Sequence, residues 1–345
     1  MPRRASAYEY RLGGMASSYW DPKDSYDPET VRFFDVAHEG AQVRALLPAV
    51  AQFSAALRGT QFRSALVIPT DLVAEACAHF VATQQGSLPV MVARPEALPP
   101  FVGALDLVIV VGERAVDDAV SRQLIAAAGR GATTVLIAPG SGPLSEDAPA
   151  RTLVAPSLPT AAGLSPARFI AGLQLVFSSL GQAPEATEGY LAGIADQLDA
   201  ELTSLSPERG AEVNPGRQLR DFAEAAHVIH TGGPIAKVVA AVWAAGGLGG
   251  TVVEPELVDQ VLERRQSASQ LAKTDDPFHD PYLDGPPLVG SKVISWGGYV
   301  RQEVRQGNEV PAQPNFLLVT PTDHDAHPLQ LIVRAFAATA YNASA

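Results

Sequence analysis

The sequence predicts an α/β protein of two lobes, each a parallel sheet flanked by helices. Three observations lead there. Continuous runs of Val, Ile and Leu alternate with segments of helical period, which is the pattern of parallel strands buried on both faces. The alternation stops at a polar spacer and a Ser/Pro/Gly joint, then restarts. Apolar residues make up 47% of the chain and charged residues 18%, the balance of a packed globule rather than a disordered chain.

The 345 residues suffice for two modest lobes with separate cores, or for one large domain. The division adopted is a disordered extension over 1–25, leading helices and a first lobe over 26–205, and a second lobe over 206–345. Residues 1–25 carry no periodic pattern, and Met15 would serve equally well as a start, so this stretch is set outside the fold. From Pro28 to Leu57 apolar residues recur at helical spacing (Phe34, Val43, Leu46, Leu47, Val50, Phe53, Leu57), predicting one or two leading helices that pack against the lobes.

The first lobe reads as strand 65–68, helix 71–83, strand 88–93, strand 105–111, helix 115–129 and strand 133–138, with a short strand at 152–154 and a helix over 166–180. A polar helical spacer over 185–205 leads to the joint at 206–216. The second lobe follows with strand 227–230, helix 235–245, strand 251–253, helix 255–272, strands near 292–295 and 316–320, and a closing helix from Pro328. The acidic, Pro-rich stretch 274–287 reads as a long loop, either functional or mobile. The closing helix is still apolar-periodic at Ala338, so the C-terminus looks short.

A net charge of -12 and a pI near 5.0 exclude a nucleic-acid-binding surface, which needs a Lys/Arg surplus, but leave room for a small phosphorylated ligand held by loop amides and helix N-termini. The single Cys77 lies in an apolar run and reads as a core residue, so no disulfide framework is expected. There is no signal-peptide h-region. The longest uncharged stretch, Val238 to Val253, is too short for a membrane span and is interrupted by glycines. A cytoplasmic protein with no membrane partner is expected.

In an open parallel sheet, ligands collect outside the carboxyl ends of the strands. That places the pocket rim at Pro69 to Asp71, Gly112 to Arg114 and Pro139 to Gly142. Thr70 offers a hydroxyl there, and Arg114, read as lying at a helix start, offers a cation for an anion. Ser141 and Gly142 belong either to a ligand loop or to a plain turn. In the second lobe Thr231-Gly232-Gly233-Pro234 joins a strand to a helix. It lacks the spacing of a nucleotide or dinucleotide loop, and reads either as a ligand turn or as close helix–strand packing. His227 and His230, three apart in a strand, point to opposite faces. Asp323-His324-Asp325-Ala326-His327 gathers metal-capable side chains but reads as a solvated loop before a helix, so no metal and no cofactor is expected.

The helix Ala41 to Arg44, the runs 88–92, 105–112 and 130–138, and the turn 231–234 resemble the bifunctional phosphoglucose/phosphomannose isomerases of the sugar isomerase (SIS) class, and their divergent actinobacterial branch in particular, over residues 35–340. The resemblance implies two SIS-like lobes, a homodimer, and a sugar phosphate at the carboxyl edges of the sheets. It also implies aldose–ketose isomerisation of glucose 6-phosphate or mannose 6-phosphate. The family's first Gly/Ser phosphate loop stands here as Val67 to Leu72, with only Thr70 hydroxylated, and its Ser/Thr-rich second loop as Val111 to Val116. A Gln-Pro-Arg motif is echoed by Ser165-Pro166-Ala167-Arg168, whose arginine reads as solvent-exposed. Isomerisation needs a carboxylate to move a proton between C1 and C2 and an acid or base to open the ring. The candidates for the family's Glu and His are Glu256 and His279. Glu256 and its neighbour Glu254 flank Pro255 at a helix start, where acidic residues also serve the helix dipole.

Two further readings stand beside the isomerase: a catalytically inactive relative that binds or senses a ligand, and an oligomeric scaffold without one.

Overall fold

The structure is a computed structural model; it describes residues 27–86, 88–159, 163–272, 290–297, 315–321 and 326–343. Three leading helices open it: α1 (Pro28–Ala37), α2 (Glu39–Arg44) and α3 (Val50–Leu57). The first lobe follows as β1 (Ser64–Pro69), α4 (Leu72–Ala82), β2 (Val90–Val92), β3 (Asp106–Val111), α5 (Asp118–Gly129), β4 (Thr133–Ile137), α6 (Pro143–Glu146) and β5 (Leu153–Val154). Then come α7 (Pro166–Ser178), α8 (Pro184–Ser204) and α9 (Pro215–Ala223). The second lobe contains β6 (His227–Thr231), α10 (Pro234–Ala245), β7 (Thr251–Val252), α11 (Val258–Ala272), β8 (Ser291–Trp296), β9 (Phe316–Val319) and α12 (Leu329–Ala340).

Both sheets are parallel, in the order β2-β1-β3-β4-β5 and β7-β6-β8-β9. Each chain path therefore steps outward once and then returns to the other side of its first strand. The reversal lies between β1 and β3 in the first sheet and between β6 and β8 in the second, and such reversals open the crevices where α/β sheets hold ligands.

Strand alternation explains the layers. In β3, Leu107, Ile109 and Val111 face the central core, while Val108 and Val110 face a second cluster with Leu124 of α5. The central core is continuous across the lobes, running from Phe33 and Val43 through Cys77, Phe169 and Leu198 to Trp243, Ile332 and Tyr341. Helix α4 lies on α10, and α12 lies against α1, α7, α8, α9 and α10. The leading helices complete this core, with α1 on α12 and α2 on α7 and α8.

Two helix starts differ from the sequence expectation for a local reason. Asp117 accepts the N–H of Val120 and sets the start of α5 at Asp118 rather than at Ala115, which leaves Arg114 in an open loop. The joint expected at 206–216 holds the beginning of α9. Asn214 caps it by accepting the N–H groups of Gly216 and Arg217, and Pro215 occupies the first turn.

Candidate active-site cleft

At the carboxyl end of β1 the chain turns through Thr70 into Asp71. The Asp71 carboxylate caps α4 by accepting the N–H of Ala74 at 2.8 Å. Its other oxygen accepts the N–H of Glu113 at 2.9 Å and the Thr70 hydroxyl at 3.3 Å. Thr70 Oγ1 in turn accepts the N–H of Arg114 at 3.3 Å. Gly112 makes this possible: its φ is 146°, and a Cβ there would overlap Thr70 Oγ1. The structure thus brings Thr70, Gly112 and Arg114 together at the strand reversal, but their polar groups bond to one another. A loop amide and a hydroxyl that could meet a phosphate are already spent on Asp71. The Arg114 side chain stands exposed.

The open space lies one strand further along. A cleft of about 300 Å³ runs over the ends of β4 and β5 toward the start of α7, lined by Gln42, Glu113, Ser141, Ser157, Ser165 and Arg168 among others. Gly140 donates its N–H to Ser157 Oγ at 3.0 Å, and Leu158 donates to Gln42 Oε1 at 3.2 Å, which ties the two loops and α2 into one wall. Ser141 faces this space. Gly142 works behind it: at φ 106° it precedes α6 and lies against Ala115, where a Cβ would come within 2.9 Å of the Ala115 Cβ.

Arg168 is only 3% exposed, contrary to the expectation of a solvated side chain. Ser165 caps α7 by accepting the Arg168 N–H, so the side chain leaves the first helical turn and reaches the strand ends. There Nε donates to Pro156 O at 3.2 Å, and Nη2 donates to Ala138 O at 2.5 Å and Ala155 O at 3.3 Å. Nη1 makes no hydrogen bond among the described residues, although Arg168 lines the cleft. Burial lowers its pKa to about 10, with nearby Glu39 acting the other way, so the guanidinium keeps its charge at neutral pH.

Two carboxyls were missed by sequence reasoning. Glu39 is fully buried and accepts the N–H of Ala167 at 2.7 Å; its Oε1 has no partner among the described residues. Burial pushes its pKa up to about 8, and Asp35 adds to the rise. Glu113, half-buried in the cleft wall, is raised to about 7, first by burial and then by the like charges of Asp71 and Asp35. No local signal marks Glu39. Glu113 sat in a loop already singled out, beside the arginine that drew attention instead.

The second-lobe candidates lie apart from this cleft. Thr231 is fully buried at the end of β6, its hydroxyl without a partner among the described residues. Gly232, at φ 125°, lies so close to the Trp296 carbonyl that any Cβ would overlap it. Gly233 precedes α10 at φ 70° with nothing near its missing side chain. Glu256 is exposed on the 3-10 turn Pro255–Leu257, and Glu254 pairs with Lys237 at 3.1 Å. His279 lies outside the described residues, as do Asp323, His324 and Asp325. His327 is bound into the fold: Nδ1 accepts the N–H of Leu329 at 3.2 Å, and Nε2 lies 3.0 Å from the Tyr190 hydroxyl. Among the described residues no three His, Cys, Asp or Glu side chains are grouped as metal ligands, and no helix is long and apolar enough to cross a membrane.

No family model matches this sequence. No curated protein matches it either. Solved structures do resemble it. The tagatose-6-phosphate ketose/aldose isomerase of Escherichia coli superposes with a TM-score of 0.55 at 14% identity, over 89% of this chain and 92% of that one. A proposed phosphosugar isomerase from Silicibacter pomeroyi DSS-3 gives 0.57 at 14% identity, over 90% and 96%. The C-terminal domain of the glucosamine-fructose-6-phosphate aminotransferase of Francisella tularensis gives 0.52 at 11% identity, over 93% and 96%. At such identities the likeness is one of architecture: the chain has the two-sheet α/β fold of SIS-type phosphosugar isomerases.

Proposed function

We propose that this protein binds a small phosphorylated sugar in the cleft over β4 and β5. The observation that carries the reading is Arg168: a buried cation on the cleft wall, held by three carbonyls through two of its nitrogens and with Nη1 unspent. A guanidinium so placed suits a phosphate, and the Ser141 and Ser157 hydroxyls suit sugar hydroxyls. The fold neighbours include structures named for phosphosugars, which agrees with this ligand class.

Binding without turnover, as in a sensing or regulatory protein, is the form the geometry favours, because Glu256 is exposed on the second lobe and is not part of the cleft lining. Aldose–ketose isomerisation of the phosphoglucose/phosphomannose type is the second reading. Its support is Glu113, the carboxylate that lines the cleft and holds its proton to about pH 7, where a group can both accept and return one.

A thermal-shift panel of glucose 6-phosphate, fructose 6-phosphate and mannose 6-phosphate against the unphosphorylated sugars tests the first reading. Stabilisation by phosphorylated members alone is expected, about 2.7 kcal/mol at a hundred times the dissociation constant. Absence of any shift at millimolar ligand would overturn it. Following glucose 6-phosphate to fructose 6-phosphate conversion against a heat-killed control tests the second.

A further inference from the structure

A second concavity, of about 660 Å³, lies between the end of α4, the turn from α7 to α8, and Tyr190 of α8. It shares no lining residue with the cleft. Its chemistry is also different. The cleft carries Arg168 and Glu113, whereas this groove is lined by Gln84, Gln85, Gln174, Gln182, Ser178 and Tyr190, with apolar edges from Leu88, Phe177 and Leu180. None of these carries a charge at neutral pH.

Beside the groove His327, Gln174 and Tyr190 form a polar cluster, of which Gln174 and Tyr190 line it. His327 Nδ1 accepts the Leu329 N–H, so in the neutral imidazole Nε2 carries the hydrogen. Burial keeps the ring neutral, its pKa lowered to about 4. Nε2 then donates to the Tyr190 oxygen at 3.0 Å, and the Tyr190 hydroxyl also lies in hydrogen-bonding reach of the Gln174 side chain. Gln174, 6% exposed, has its amide nitrogen 3.3 Å from the same Nε2 and its Oε1 without a partner. Two donors cannot satisfy each other, so the amide is better turned with its oxygen toward His327. In either orientation one polar end of this amide remains unpaired, and that end is buried beneath the groove rather than open to it. Gln84 and Gln182 add exposed amides that make no side-chain hydrogen bond among the described residues.

We propose that this groove is a binding site for an uncharged sugar, distinct from the phosphosugar cleft. Amides that both donate and accept match ring hydroxyls, an aromatic ring and leucine edges match the apolar face of a pyranose, and the lack of any cation gives a phosphate nothing to hold. The site stands whether or not the cleft takes a phosphosugar.

The test is a titration of 15N-labelled protein with glucose, N-acetylglucosamine and maltose, with glucose 6-phosphate in parallel, following the glutamine side-chain amide signals. At least one neutral sugar is expected to shift Gln84, Gln174 and Gln182 while leaving Gln42 of the cleft unmoved. Tyr190→Phe, which keeps the ring, should weaken that binding about tenfold, and Gln174→Leu should do the same if it folds. No shift with any neutral sugar, shifts centred on Gln42, or a Tyr190→Phe protein that binds as tightly as the parent would each overturn the proposal.

Discussion

The Asp71 carboxylate accepts the backbone N–H of Glu113 at 2.9 Å, so an anion of the protein's own fills the loop where β1 and β3 diverge. This relationship moves ligand space away from the strand reversal and raises the proton affinity of the carboxyl beside it. Asp71→Asn keeps an acceptor for the Ala74 amide but removes the charge. The Glu113 midpoint should fall from about 7 toward the ordinary carboxylate range, yet stay above it, because burial is the larger cause. A 13C titration of the Glu113 carboxyl reads this directly; an unmoved midpoint would show that Asp71 does not act on it. Asp71→Ala, which also loses the cap, should cost about 1–2 kcal/mol in denaturant unfolding.

Two glycines at equivalent strand reversals should respond alike, and a third should not. Gly112→Ala sets a Cβ on Thr70 Oγ1 at φ 146°, and Gly232→Ala sets one on the Trp296 carbonyl at φ 125°. Each is expected to cost roughly 2–4 kcal/mol, with Gly232 the worse because a carbonyl in β8 cannot rotate aside as a hydroxyl can. Gly233→Ala, at φ 70° with open space around it, should cost about 1 kcal/mol. Urea midpoints of the three variants test the order, and equal losses would contradict it.

These cases show what the sequence could carry. The strands were legible because Leu107 to Val111 and Val135 to Ile137 are buried on both faces, and a continuous apolar run has few other uses. The Thr231 turn was legible as a turn, but its first glycine, Gly232, serves the approach of Trp296, a partner more than sixty residues away. Helix α9 was hidden because its sequence, Pro-Gly-Arg-Gln-Leu-Arg-Asp-Phe-Ala, buries little besides Gly216 and Leu219 and so reads as a polar joint. Arg168 was misjudged for the same kind of reason: the carbonyls that bury it, from Ala138, Ala155 and Pro156, come together only when β4 and β5 pair.

Stability should fall as pH rises from about 6.5 to about 8. A carboxyl ordinarily titrates near 4.3, so with Glu39 held to about 8 the folded chain keeps a proton that the unfolded chain releases, and the folded state loses ground across that interval. Glu113 acts in the same sense up to about 7. His230 and His327, lowered to about 4 by burial, act oppositely: the unfolded chain takes up protons below about 6.5, so their contribution is lost as pH falls. The opposing slopes largely offset each other between about 4.5 and 6.5, which leaves the carboxyls in sole effect above. Glu39→Gln mimics the protonated form and should flatten the profile between pH 6.5 and 8. A parent protein already flat over that interval would show that Glu39 is not held protonated.

The buried ion pair between α8 and α12 gives the sharpest test of how the C-terminal helix is held. Arg334 Nε donates to Glu201 Oε1 at 2.6 Å and Nη2 donates to Oε2 at 3.1 Å, with the glutamate side chain 2% exposed. Because both charges are withdrawn from water, the pair's worth lies less in net attraction than in the cost of leaving one member alone. Glu201→Leu should therefore destabilise by about 3–5 kcal/mol, since it strands a guanidinium beside the core. The double variant Glu201→Leu/Arg334→Met should recover most of that loss, because two apolar side chains of similar volume replace both charges at once. Denaturant unfolding of the parent, both single variants and the double variant forms a complete cycle. A double variant no more stable than Glu201→Leu alone would mean that Arg334 holds α12 chiefly through contacts other than Glu201, among them the hydrogen bond from Nη1 to the Thr320 carbonyl at 3.2 Å.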